Sequence, residues 1–128
     1  YVAEVNGVVS ADAYASPFRP RTGYRYTAED SVYVAPSAKG QGLGRLLLTR
    51  VIADCEAMRL RQLIAVIGGS ENAASIALHK SLGFEIKGVM TGVGFKLGRW
   101  MDIVMMQRSL NGGVETTPSA PGLPLGGG

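Results

Sequence analysis

Apolar and polar residues interleave at the start of the chain over 2–5 and 8–15, and the two β-rich runs meet at Asn6-Gly7. That dipeptide between such runs predicts a two-residue hairpin. Another strand is expected over 30–35, stopped by Pro36. The period then changes. Leu47, Leu48, Val51, Ile52, Cys55 and Met58 recur at helical spacing, which predicts an amphipathic helix over 42–60. Residues 63–67 are apolar without a break and are bounded by Gly68-Gly69, the pattern of a buried strand. A second helix is expected over 72–83, opening near Asn72 as N-cap and closing at Gly83. Final strands are expected over 84–90 and 100–108; the second is apolar on both faces and so belongs inside a sheet. This order of elements predicts a mixed α/β layer with helices on a central sheet.

Composition limits what that layer can be. Hydrophobic residues are 46% of the 128 and charged residues 18%, enough for one core. No apolar run approaches the roughly 20 residues of a membrane span, so no membrane partner is expected. The one cysteine, Cys55, supplies neither a disulfide nor a thiolate zinc site; it falls on the apolar face of its helix and reads as packing. With one histidine, His79, no metal centre is expected. Residues 111–128 hold six glycines and three prolines, so the domain is expected to be 1–110 and the remainder a flexible tail. The chain opens YVAEV, with neither a starting Met nor a secretory leader, which suggests a partial chain and a cytoplasmic setting. Net charge is +3, and the basic residues are spread along the chain. That suits an anionic small molecule, and no nucleic-acid partner is expected.

The chemistry concentrates at Val32-Tyr33-Val34-Ala35-Pro36-Ser37-Ala38-Lys39-Gly40-Gln41-Gly42-Leu43-Gly44-Arg45, where a strand enters a glycine-rich turn that opens into a helix. Glycines admit a ligand close to the backbone, and the first amides of a helix have no internal acceptor. Together with the helix dipole they favour an anion, to which Lys39 and Arg45 add mobile charge. A diphosphate is the natural guest. A Walker loop would need Gly-Lys followed by Ser or Thr, and Gly44-Arg45-Leu46 lacks it. The Gly40-x-Gly42-x-Gly44 spacing also departs from the dinucleotide fingerprint.

Lys39-x-x-Gly42-x-Gly44 resembles the pyrophosphate loop of the GNAT N-acetyltransferase superfamily, with Lys39 in place of the usual Arg or Gln. The run from Asn72 to Gly83-Phe84 resembles that family's second signature, in the same order and at the same separation. Two further runs, from Gly23 to Val34 and from Val93 to Asp102, resemble the phosphinothricin and methionine sulfoximine N-acetyltransferase branch. The resemblance implies a mostly antiparallel GNAT sheet lacking its first strand and two helices, whose early strands leave an edge open to a homodimer partner. It implies acetyl-CoA as cosubstrate, held by Val32, Tyr33 and Val34 along the strand, by Lys39, Gly40, Gln41, Gly42, Leu43, Gly44 and Arg45 in the turn, and by Asn72. It implies Glu29 as general base, with Asp30 in reserve, and His79 where many members carry a tyrosine that protonates the departing thiolate. Gly23, Tyr24, Arg25, Lys96 and Trp100 fall where the branch meets its acceptor; an arginine fork suits an amino-acid carboxylate. The expected activity is transfer of acetyl to the α-amine of a small amino acid or analogue. Two alternatives stand beside it: acetylation of a peptide or protein N-terminus, and an inactive acyl-CoA-binding or dimer-forming module.

Overall fold

The computed structural model describes residues 1–69 and 72–124. It contains strands β1 (Val2–Val5), β2 (Val8–Pro17) and β3 (Thr27–Val34), helix α1 (Leu43–Ala57), strand β4 (Gln62–Gly68), helix α2 (Ala73–Ser81), and strands β5 (Glu85–Lys96) and β6 (Arg99–Ser109). The six strands form one sheet in the order β1-β2-β3-β4-β6-β5. Only the β3–β4 pair is parallel; the rest are antiparallel, as the expected fold class requires. β6 lies inside the sheet, in keeping with its two apolar faces.

The first hairpin turns at Asn6 and Gly7, both at positive φ, the backbone that a two-residue turn of matching twist demands. α1 buries Leu47, Leu48, Val51, Ile52 and Cys55, the stripe read from its spacing. Opposite them, β2 and β3 present Ala11, Ala13 and Ala28, small residues that let a helix approach closely. Leu63, Ala65, Ile67, Val104, Met106 and Phe84 complete this core. Along β3 the alternate residues Glu29 and Tyr33 turn to the opposite face, as do Tyr14 of β2 and Val66 of β4. That face is far more open: Tyr14, Tyr33 and Val66 are all exposed.

Several expectations about the elements change. β3 begins at Thr27 and ends at Val34 rather than spanning 30–35, so Glu29 lies within the strand. α1 ends at Ala57, because Arg59 takes a positive φ and turns the chain before 60. β5 continues past 90 to Lys96, with a register shift between Met90 and Gly94, where the Gly92 N–H donates to Asp102 Oδ1 at 2.9 Å. The glycines of that stretch form a bulge and a tight turn at Leu97-Gly98. Asn72 does sit at the start of α2, yet its side chain makes no capping hydrogen bond.

The stretch expected as a free tail is, over 111–124, bonded to the body; 125–128 lie outside the described residues. The Arg61 guanidinium, nearly buried, donates to the carbonyls of Gly113, Thr116 and Thr117 at 2.7, 3.1 and 2.7 Å. Tyr26 donates its hydroxyl hydrogen to Ala120 O at 2.9 Å, and the Leu123 N–H donates to Arg25 O at 2.8 Å. Composition counts apolar area, and this strap is held by backbone carbonyls instead.

Candidate active site

The site follows from where the parallel ladder stops. β3 and β4 pair from Thr27 with Gln62 to Asp30 with Ala65, and no further. Both strands run on, β3 to Val34 and β4 to Gly68, so beyond Asp30 the sheet parts. A β-strand edge left open in this way offers unpaired backbone groups to whatever enters.

On the helix side of the parting lies a cavity of about 470 Å³, walled by Val32, Tyr33 and Val34 of the strand and by Lys39, Gly40, Gly42, Leu43, Gly44 and Arg45 of the turn. Asn72, Ser75 and Leu78 close it from α2. Every expected cofactor residue except Gln41, which is exposed, borders this space. Gly42 is the N-cap of α1, at φ 74° and with no side-chain cap. The first bond of the helix runs from the Leu46 N–H to Gly42 O at 3.0 Å, so the preceding amides have no acceptor within the helix. Gly44 is fixed by packing: a Cβ there would meet Leu78 Cδ2 at 3.2 Å and Val34 Cγ2 at 3.4 Å. Arg45 donates to Ser81 Oγ at 2.8 Å, tying the turn to the end of α2. A roomy hollow with free helix-start amides and flanking Lys39 and Arg45 fits a diphosphate ester on its own chemistry.

A second cavity, of about 220 Å³, shares Val32, Asn72 and Ser75 with the first and is walled further by Glu29, Asp30, Tyr14 and His79. The two expected acid–base residues are therefore brought together beside the expected cofactor space. Burial first, then the Asp30 charge, raises the Glu29 carboxyl above its usual range. His79 differs from the expectation of an ordinary imidazole. It is 1% exposed, with Nδ1 2.8 Å from Ser75 O and Nε2 2.9 Å from Asp30 Oδ1. Asp30 is likewise buried, so it is bound to His79 rather than held as a spare base. Tyr14 and Ser75 were not singled out in the sequence. Tyr14 is legible only through register, where it faces Ser31 across β2 and β3.

The expected acceptor residues are not gathered in this cavity. Tyr24 instead lines a separate hollow of about 330 Å³, with Phe18, Thr27, Ile64 and Met105. Arg25 stacks over the Tyr26 ring at 5.4 Å, and Gly23 is exposed on the short turn beside it. Lys96 and Trp100 flank the β5–β6 turn, with β6 and β4 between β5 and the parting. Trp100 is 71% exposed and packs edge-on against Phe95 at 4.9 Å.

Comparison with known proteins points the same way as the geometry. The Acetyltransferase (GNAT) family matches residues 1–84. The chain is 56% identical over 117 residues to a phosphinothricin N-acetyltransferase of Alcaligenes faecalis, covering 91% of this chain and 59% of that protein. It is 50% identical over 111 residues to an L-methionine sulfoximine/L-methionine sulfone acetyltransferase of Salmonella typhimurium, covering 86% and 64%. The chain thus spans about three-fifths of the length of these relatives. A crystal structure of a phosphinothricin acetyltransferase from Sinorhizobium meliloti, in complex with AcCoA, superposes with a TM-score of 0.88 at 48% identity, covering 96% of this chain and 66% of that one. With its parted sheet, its glycine turn and two thirds of its length matched by the family, this chain belongs to the GNAT acetyltransferases.

Proposed function

We propose that the chain carries the transfer centre of an enzyme that moves an acetyl group from acetyl-CoA to the α-amine of a small amino acid or analogue. Phosphinothricin and methionine sulfoximine are the acceptors named for its relatives. One observation carries the reading: the sheet opens between a glycine turn at a helix start on one side and a carboxyl of raised pKa on the other.

The diphosphate of acetyl-CoA rests on the amides that open α1, with Lys39 and Arg45 at its flanks. Its amide-bearing arm lies along Val32, Tyr33 and Val34 and takes the backbone groups that β4 leaves free. A backbone N–H near Val34 donates to the thioester oxygen, an interaction that can be worth about 3 kcal/mol of barrier. Glu29 removes the proton of the attacking amine, whose ordinary pKa of about 7.7–8.0 calls for only a modest base. The new C–N bond forms as the C–S bond breaks, the electron pair leaves with sulfur, and a proton from the His79 side neutralises the thiolate. Direct transfer leaves Cys55 without a role: burial first, then the nearby carboxylates, pushes its thiol up to about 11. Arg25, Lys96 and Trp100 stand apart from the Glu29 cavity within one chain, so they would meet the acceptor only if a second copy or further chain brought them to it. A cytoplasmic setting and a homodimer belong to the same reading; the exposed β5–β6 turn and the edge strand β1 are surfaces a second copy could use.

Calorimetric titration with acetyl-CoA, followed by thiol-release assays with phosphinothricin, methionine sulfoximine and a set of peptides, tests this. Saturable heat with the cosubstrate and thiol release with amino acids are expected. No heat would remove the cosubstrate assignment. Release with peptides alone would move the acceptor to a polypeptide N-terminus, and binding without turnover would leave an acyl-CoA-binding module.

A further inference from the structure

Asp30 and His79 form the one ion pair buried at the parting of the sheet among the described residues. The Ser75 carbonyl can only accept, so Nδ1 of His79, 2.8 Å from it, carries hydrogen. Nε2 then faces Asp30 Oδ1 at 2.9 Å. A neutral ring with its hydrogen on Nδ1 would set a lone pair against a carboxylate oxygen, with no water between them. A second proton must therefore sit between Nε2 and Oδ1. The other carboxylate oxygen, Oδ2, is buried with no partner among the described residues, so this single hydrogen bond compensates much of the Asp30 charge.

We infer that Asp30 is a positioning residue for acetyl transfer: it fixes the His79 ring and holds it as the imidazolium that gives its proton to the departing thiolate. The inference rests on the transfer reading above and adds how its acid stays charged. An isolated imidazole, with a pKa near 6.5, is mostly neutral at pH 8, where an α-amine of pKa about 7.7–8.0 becomes a nucleophile. Base and acid would then be ready at different pH values. Tied to Asp30, the ring holds its proton more firmly than a free imidazole and can still give it to a departing thiolate, a stronger base than imidazole. In that step the C–S electron pair ends on sulfur, sulfur takes the proton of the Asp30–His79 hydrogen bond, and the ring is left neutral with hydrogen on Nδ1. The lone pair now turned to Oδ1 drives recharging from water. Neither ring nitrogen is otherwise free, which is why the proton has to come from this bond.

Other charges leave this balance in place. Burial by itself pulls the His79 pKa down, and the Asp30 hydrogen bond and charge, with the Ser75 carbonyl, reverse it to a net rise. Around the pair stand Glu29 on β3 and Cys55 on α1, whose thiol stays protonated to about 11. Lys80 on α2 is exposed. Between Leu63 and Ile67, β4 carries only apolar side chains, and the ring's other close neighbour is Phe84, edge-on at 4.8 Å. Arg108 of β6 is turned to the Leu82 carbonyl.

Because the sequence has one histidine, its ring can be followed without assignment. Nitrogen-15 spectra of histidine-labelled chain are recorded from pH 5 to 10, alongside Asp30→Asn. In the unaltered chain both ring nitrogens are expected to stay protonated at pH 8. In Asp30→Asn, whose amide can donate to a neutral Nε2, the midpoint should fall by about one pH unit or more, with hydrogen on Nδ1. The activity of the variant relative to the parent should drop about tenfold between pH 6.5 and 8.5, with the KM for acetyl-CoA unchanged. A neutral ring at pH 7.5 in the parent, or an unmoved midpoint in the variant, overturns the pairing, and neither result depends on turnover. A loss of activity equal at every pH, accompanied by a lowered unfolding temperature, reduces Asp30 to a structural role and also overturns the inference. A persistent imidazolium in a chain that acetylates no amine would instead sink the transfer reading.

Discussion

Glu29 is the residue whose surroundings speak most directly to rate. Its carboxyl is raised by partial burial and by Asp30, so the folded chain binds a proton there more readily than the unfolded chain does. The contribution to stability is therefore present below the unfolded value near 4.5 and is lost as pH rises through the folded one. At neutral pH the charged side chain is a small burden. Glu29→Gln should consequently lower kcat by about 100-fold or more while the midpoint of thermal unfolding stays level or rises. Unfolding at pH 7 and steady-state rates with saturating acetyl-CoA check both halves. Retained activity would pass the proton-accepting role to solvent. The same raised carboxyl implies an acid limb of the kcat/KM profile displaced upward from that of an exposed glutamate, and its loss in Glu29→Gln identifies the group.

Among the elements, the turn into α1 has the sharpest requirement. Gly42 sits at φ 74° with open space around the missing Cβ, so the obstacle to a side chain there is the backbone angle, not crowding. A β-branched residue is least able to take that angle. Gly42→Val should cut acetyl-CoA affinity at least tenfold by calorimetry, with far-UV dichroism unchanged because α1 is anchored further along by Leu47, Leu48 and Val51. Unaltered affinity would mean that these amides do not hold the phosphates. This element was legible because a glycine turn followed by a 3.6-residue period is a local pattern. Most strands and both helices were legible on the same ground. The tie between Asp30 and His79 was not, since 49 residues separate them and no period links them. Nor was the outer half of β5, whose bulge depends on Asp102 reaching Gly92 from the neighbouring strand. Arg25, Lys96 and Trp100 were named by resemblance to the branch, and within this single chain they stand apart from the Glu29 cavity.

At the scale of the molecule, Arg61 decides how the end of the chain is held. Its guanidinium has three carbonyl acceptors and, among the described residues, no carboxylate partner. Such charge-assisted bonds are worth about 1.5–3 kcal/mol each before the cost of burying the charge. Arg61→Met should lower stability by about 2–4 kcal/mol and release 111–124 to limited proteolysis; protection equal to the parent would show the strap to be held elsewhere. The strap also meets the Arg25 carbonyl and the Tyr26 hydroxyl, so its release should loosen the turn that carries Arg25. The interrupted ladder between β3 and β4 has a different reach. A sheet unzipped at its middle is a lock cut for a strand-shaped key: main-chain polar atoms, not side chains, define what slides in. Wall residues such as Val32 and Leu78 could then drift among similar sizes over evolutionary time without altering which kind of molecule fills the seam.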